Sequence, residues 1–377
     1  VQRTAAYGVV SDGSGGVLLL QVPGGRDPEG HWSLPGGLVR HGENPRDRVK
    51  AGLLEQTGLR AASITPRDAG ADVVELPEHG VSVHTLRLLF DVALYGRPPG
   101  ISGPGRPAVI AEEGLAQGQD RLPGEDREVD SPMDELSSPV AVVVPPDPDR
   151  PVAQFVGRFM AAEELAALPQ GVFLGDLLAS RSVVTVLSGG VDLLDPPIDP
   201  ALLLEPAEPT ESAEPADSGA QPGEVPVFVQ RPAAYAVLVD EKAEGGPRML
   251  LSKLAGSEDT WTLPGGGIDH GEHPGLALQR EIHEEAGLPY TAGPLIDISS
   301  RHFVGRAPHG RLEDFHAVRL IYAGSVPVDL EPHVVEVGGS TDEAAWIPIA
   351  DFETVGAVPT AREALAAWHA HRDDRPQ

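Results

Sequence analysis

The residues whose types and spacing carry the clearest chemistry lie between Gly266 and Leu288, where the chain reads G-x5-E-x7-R-E-I-x-E-E-x-G-L. The fixed members are Gly266, Glu272, Arg280, Glu281, Ile282, Glu284, Glu285, Gly287 and Leu288. On a helix, Glu281, Glu284 and Glu285 stand at i, i+3 and i+4, so their carboxylates share one face. Like charges crowded in this way repel one another, and a divalent cation with oxygen ligands is the natural neutraliser. Arg280 sits one turn before Glu284 and is placed to pair with it or with Glu272, holding the carboxylates in register. Leu278, Ile282 and Ala286 recur every four residues and give the helix an apolar stripe away from the glutamates. In isolation, such a run of Arg and Glu reads as a solvated, salt-bridged helix face. The glycines, Glu272 and the lead-in Trp261-Thr262-Leu263-Pro264-Gly265-Gly266 favour the metal reading.

The elements that must position this helix occur twice. The run RPAAYAVLVD from Arg231 matches RTAAYGVV from Arg3, and both read as buried strands. WTLPGGGIDHGEHP (Trp261 to Pro274) matches WSLPGGLVRHGENP (Trp32 to Pro45) in register. In the first copy, Asn44 caps a helix with Pro45 at its first position and Gly58 as its stop. Val17 to Val22 and Met249 to Leu254 read as second strands, and Val81 to Leu94 as one or two more. Strands are also expected within Ser299 to Val326 and at Ala344 to Pro348, with a terminal helix over Thr360 to Ala370. Residues 97–150 are rich in Pro, Gly, Asp and Glu and read as an acidic insertion, because a strand and helix pattern resumes at Phe155. Residues 188–230 carry no Lys, Arg or His and read as a stiff acidic linker. The expected division is therefore residues 1–187, a linker over 188–230, and a second domain over 231–377.

Composition narrows the function classes. Net charge is −29, which argues against binding nucleic-acid polymers or an anionic membrane surface. The chain has no cysteine, which excludes disulfides, thiolate zinc sites and cysteine nucleophiles together. No apolar run approaches the roughly 20 residues that span a bilayer, and no basic n-region with an apolar run opens the chain, so a cytoplasmic setting is expected.

Gly266 to Leu288 resembles the Nudix box at every specified position, and the preceding Trp-x-Leu-Pro-Gly-Gly is also typical of the Nudix hydrolase family. The resemblance covers both halves of the chain. It implies an α/β fold: two Nudix-like α/β/α sandwich domains with mixed sheets, joined by the acidic Pro-rich linker. It also implies metal-dependent hydrolysis of a diphosphate bond in a nucleoside diphosphate derivative or similar organic diphosphate, with Mg²⁺ or Mn²⁺. Glu284 and Glu285 are the expected metal ligands, Glu281 a further ligand or the general base, and the Gly266 carbonyl a backbone ligand. The catalytic set is thus Glu281, Arg280, Glu284 and Glu285, with Glu272 and Gly287 structural. The chemistry agrees, since a hard cation held by carboxylates can bridge phosphate oxygens and acidify water.

The first copy departs where the chemistry lies. Gly37 and Glu43 remain, but Ala51 replaces the arginine, Gly52 the first glutamate and Gln56 the last, leaving Glu55 alone. That domain is expected to have kept the fold and lost hydrolysis. The resemblance also leaves subgroup identity open: without cysteine the isomerase branch is disfavoured, and no NADH- or coenzyme A-cleaving signature is present. The alternative function is a nucleotide-binding sensor.

Weaker candidates lie after the box. Arg301, Arg306 and Arg311, with His302 and His309, are candidates for contacting substrate phosphates. Glu313, Asp314 and Glu343 are candidates for an extra ligand or base. Trp261 and Trp346 read as core residues, and His41 and His270, which recur in both copies, as loop structure. The expected partner is a small-molecule diphosphate, and the expected association is an intrachain pseudo-dimer or a homodimer.

Overall fold

The computed structural model describes residues 1–12, 16–22, 31–95, 156–160, 184–188, 224–307 and 310–373. The acidic segment 97–150, the helix read after Phe155, most of the linker, and His309 lie outside the described residues.

In the first copy, β1 (Gln2–Val9) lies parallel to β6 (Val81–Leu94), and β4 (Gly36–Leu38), β5 (Ala61–Leu76) and β8 (Val184–Ser188) complete a mixed sheet of order β4-β1-β6-β5-β8. A small antiparallel sheet joins β2 (Val17–Val22) to β3 (His31–Ser33) and β7 (Val156–Met160). In the second copy, β9 (Val227–Val237) lies parallel to β15 (Leu312–Ser325), between β13 (Gly265–Gly267) and β14 (Thr291–Arg306). Its companion sheet gathers β10 (Val239–Asp240), β12 (Trp261–Thr262) and β16 (Thr341–Pro348) around β11 (Arg248–Leu254). β9 begins four residues before Arg231, inside the stretch read as linker, because Val227 to Gln230 pair with Glu313 to His316.

The helices start and stop where their caps dictate. In α1 (Pro45–Thr57) the Asn44 side chain accepts from the Arg46 N–H, and Gly58 closes the end at φ 72°. In α2 (Pro274–Ala286) His273 caps the Gly275 N–H, and Gly287 takes φ 65°. Both C-caps use the left-handed conformation that glycine adopts without a Cβ clash. Leu278, Ile282 and Ala286 are fully buried against Ala234, Val318 and Leu320 of the sheet. The opposite sheet face, with Val237 and Ile321, packs on Trp261, Phe352 and α3 (Pro359–Asp373). The second domain is therefore a mixed sheet between helices, and Trp261 is a core residue.

The two copies touch, and one apolar cluster contains buried residues from both. Arg46 Nη2 donates to Asp297 Oδ1 at 2.5 Å, and Gln2 Nε2 donates to the Ile268 carbonyl at 3.1 Å. His41 Nε2 lies 2.9 Å from Asp314 Oδ1, and His270 Nε2 lies 2.9 Å from Ser82 Oγ. His41 and His270 thus reach across to the opposite domain, which corrects their reading as loop structure. Their recurrence reflects the near-twofold relation of the copies.

Strand registers match the copies residue by residue. The rung Arg3–Thr85–Asp72 corresponds to Arg231–Ala317–Arg301. Two residues along, Ala5–Arg87–Gly70 corresponds to Ala233–Arg319–Ser299.

Candidate active site

Arg280 is the hub of the carboxylate face. Its Nε and Nη2 donate to the two oxygens of Glu272 at 3.0 and 2.9 Å, a bidentate pair. Nη1 donates to Glu281 at 2.8 Å and to Glu284 at 3.2 Å, and Nη2 also reaches the Gly267 carbonyl at 3.1 Å. Glu272 in turn accepts from the Asp269 N–H, so the loop before α2 is fastened to the helix through one guanidinium. Burial pushes the Glu272 carboxyl up, but the Arg280 hydrogen bonds and the Asp269 N–H leave it below its ordinary value.

Glu281 is half-buried, and burial outweighs Arg280 in raising its pKa. Its carboxyl lies against Gly266: a Cβ there would stand 2.6 Å from the Glu281 oxygens. Only glycine allows this approach of loop backbone and carboxylate. Glu285 turns the other way. It is 5% exposed, and accepts from Thr341 Oγ1 at 2.7 Å, Ser252 Oγ at 2.9 Å and the Gly265 N–H at 3.0 Å. Burial raises its pKa despite these three donors. The structure therefore brings Glu272, Glu281 and Glu284 together around Arg280 and gives Glu285 a separate set of partners.

The first domain shows what the same positions do without the glutamates. Gln56 replaces Glu285, and its amide accepts from the Gly36 N–H at 2.9 Å and donates to the Gly36 carbonyl at 3.1 Å, keeping the loop fastened. Arg48, one turn before Ala51, pairs with Glu55 at 2.9 Å and with Glu43 at 3.8 Å. Gly52 stands where Glu281 would, and a Cβ on it would lie 2.7 Å from the Gly36 Cα. The helix has closed onto the loop, so the space for a carboxylate is gone.

A second contrast was not legible in the motif. On the sheet face carrying Tyr7, Arg87 is 1% exposed; its Nε donates to Asp72 Oδ1 at 2.5 Å and its Nη1 to the Tyr7 hydroxyl at 3.4 Å. At the matching positions the second domain has Arg319, Arg301 and Tyr235. Among the described residues neither Arg319 nor Arg301 has a carboxylate partner; Arg301 lies over the Phe303 ring at 5.5 Å. Arg231 lies against Gly267, whose Cβ would meet its Nη2 at 2.8 Å. Burial raises the Tyr235 pKa, and its electrostatic neighbours are Arg319, Glu285, Arg231 and Glu281, so this basic row borders the glutamates. Arg231 and Arg319 were missed because each sits in an apolar strand; the Arg3/Arg231 repeat was the available signal.

The other arginines are placed differently. Arg306 is paired with Glu224 and the Gly310 carbonyl, and Arg311 with Glu313. They flank the β14–β15 hairpin turn, far along the strands from the rung of Gly266, Ala234 and Leu320. The structure does not bring them to the glutamates, which corrects their grouping with Arg301. Asp314 and His302 lie at the domain interface, and Glu343 on β16 stands 4.0 Å from the Lys253 ammonium.

The family model described as NUDIX domain matches residues 1–97 and 229–368, more than half of the chain. An RNA pyrophosphohydrolase of Saccharophagus degradans is 41% identical over 58 residues, 15% of this chain and 32% of that protein. Diphosphoinositol polyphosphate phosphohydrolase 2 of Rattus norvegicus is 39% identical over 57 residues, again 15% and 32%. The chain spans about a third of the length of these curated relatives. Among solved structures, a MutT NUDIX hydrolase from Burkholderia pseudomallei is 26% identical, with a TM-score of 0.29, covering 37% of this chain and 98% of its own.

Proposed function

The chain belongs to the NUDIX domain family, and on that premise we propose that its second domain hydrolyses a diphosphate bond in a small nucleoside diphosphate derivative or similar organic diphosphate. The observation that carries this reading is the Arg280 hub, which holds Glu272, Glu281 and Glu284 around a glycine loop that Glu281 touches. The similarity to an RNA pyrophosphohydrolase and a diphosphoinositol polyphosphate phosphohydrolase supports a phosphate anhydride as the bond cut. Net charge of −29 favours a small molecule over a polymer.

The donor set is hard oxygen, as Mg²⁺ or Mn²⁺ requires. Glu281, Glu284 and the Gly266 carbonyl would hold the ion, and Glu285 would join them by giving up part of its hydrogen bonding to Thr341, Ser252 and the Gly265 N–H. When bound, such an ion neutralises phosphate charge and acidifies the attacking water. Arg280 keeps Glu281 and Glu284 oriented from the helix side and must release part of its grip for both to turn to a ligand. Burial raises the Glu281 carboxyl above its ordinary value, the direction that favours a general base, so Glu281 serves either as that base or as a further ligand. Arg301, Arg319 and Arg231, which have no carboxylate partner among the described residues, present guanidinium donors to the phosphates.

The first domain, in this proposal, is a catalytically silent partner that packs on the second as an intrachain pseudo-dimer. Its extent is residues 1–187 with an insertion over 97–150. The pairing of β7 with β2 and of β8 with β5 supports that extent, because both late strands add to sheets begun before the insertion. The acidic stretch would then tether two complete units.

The test is phosphate or nucleotide release by the full chain across a diphosphate panel, with and without Mg²⁺ or Mn²⁺. Metal-dependent turnover that collapses in Glu284→Gln is expected. No release from any diphosphate would sink the reading and favour a nucleotide-binding sensor.

A further inference from the structure

Outside the carboxylate helix, His41, His302 and Asp314 bring three ligand atoms to within 4.8 Å of one another. All three are buried, at 5%, 7% and 5% exposure. The geometry is convergent: His41 Nε2 and His302 Nε2 both point at the same oxygen, Asp314 Oδ1, at 2.9 and 2.5 Å. His41 comes from the loop before α1, while His302 and Asp314 come from paired strands of the second domain. We propose that these residues form a second, interdomain metal site that takes a zinc-class divalent ion and clamps the two domains together.

The chemistry of the set separates it from the glutamate site. Two imidazoles and one carboxylate suit Zn²⁺ and its borderline neighbours, whereas Mg²⁺ prefers an all-oxygen shell. Tetrahedral zinc holds its N and O ligands at about 2.0–2.2 Å. The shared oxygen places both nitrogens in a small arc around one point, so sub-ångström to ångström ring shifts suffice to seat an ion. His316 lies nearby but is engaged: Ser300 Oγ is 2.8 Å from its Nε2 and Gln230 Nε2 is 3.1 Å from its Nδ1. It borders the site and leaves a fourth position for water.

The chain supplies a control for this site as well. The near-twofold mate of His41 is His270, which approaches Ser82 instead of Asp314. The rung Gln2–His84–Val73 matches Gln230–His316–His302, so Val73 stands where His302 does. One histidine therefore meets two ligating groups, whereas its mate meets the Ser82 hydroxyl and the His84 ring. The symmetry of the fold does not require the triad, and the residues present at one interface only are metal ligands.

The probe is the metal alone, on the full chain carrying Glu281→Gln and Glu284→Gln, which removes two ligands of the carboxylate site, so failure of the hydrolase reading leaves this test intact. After metal removal, Zn²⁺ is titrated and counted by elemental analysis, and Co²⁺ is followed by its visible absorption. A single tightly held zinc ion per chain, an intense four-coordinate cobalt spectrum and a higher Tm are expected. His302→Val and Asp314→Ser, which copy the residues at the mate position, should lose all three signals while circular dichroism shows the fold retained. Should either variant misfold, His41→Gln is measured in its place. No tightly held zinc in the doubly substituted chain, or zinc held equally after a ligand is replaced, would overturn the proposal.

Discussion

The two domains share strands, registers and helix caps, yet they treat charge in opposite ways. In the first, Arg87 is neutralised by Asp72 and Arg48 by Glu55, and the Gly36 loop is held by the uncharged Gln56. In the second, the matching positions hold Arg319 and Arg301, which have no carboxylate partner among the described residues, and glutamates gathered on Arg280. The first arrangement is complete in itself. The second leaves cationic and anionic groups side by side with interactions to offer, which is what an anionic substrate with a cation requires. A fold can therefore be preserved while its site is closed by substituting a partner from within.

Breaking the closed pair should show the largest effect on stability. Asp72→Ala removes the carboxylate that neutralises buried Arg87, and should cost about 3–5 kcal/mol of stability in denaturant unfolding. Arg301→Ala at the matching exposed position should stay within about 0.5 kcal/mol. Equal losses would mean that the two faces are not differently built.

Converting the open face to the closed one sharpens the comparison. Arg301→Asp places a carboxylate beside Arg319 as Asp72 lies beside Arg87. Losing one charged hydrogen-bonding group and engaging another should lower kcat/KM about 10–100-fold, mostly through KM. An unchanged KM would remove these arginines from the substrate path.

The smallest effect on stability concerns Glu285. Its folded pKa is raised by burial, so the stabilisation it brings is full below the ordinary glutamate range and is lost as pH rises through the folded value. Glu285→Gln, which copies Gln56, should remove that slope and leave stability at neutral pH equal or higher, even as turnover is lost. A pH–stability profile parallel to the wild type would show that Glu285 does not titrate in this window.

Much of this was legible in the sequence because it is local. Asn44, Pro45 and Gly58 set the bounds of α1, and the spacing of Leu278, Ile282 and Ala286 identified the buried stripe of α2. The glutamate face and its arginine were readable for the same reason, since they lie within one loop and one helix. What escaped depends on long-range pairing. β5 was not foreseen, because PRDAGAD lacks alternation; it is a strand only because β6 pairs with it along its length, with a register shift between Pro66 and Asp68. The early part of β14 is broken by Gly293 and Pro294 and bulges there. The inward turn of Glu285 depends on Thr341, 56 residues away, and the basic row on three strands in one register. No spacing rule reaches that far.

The central claim is that hydrolysis belongs to the second domain alone. Its most direct test is metal-dependent turnover of a cleaved diphosphate by the full chain carrying Glu281→Gln, with the first domain untouched. Loss of a general base or ligand should lower kcat by about 10²–10⁴-fold. Turnover at the wild-type rate would place the chemistry elsewhere and contradict the account.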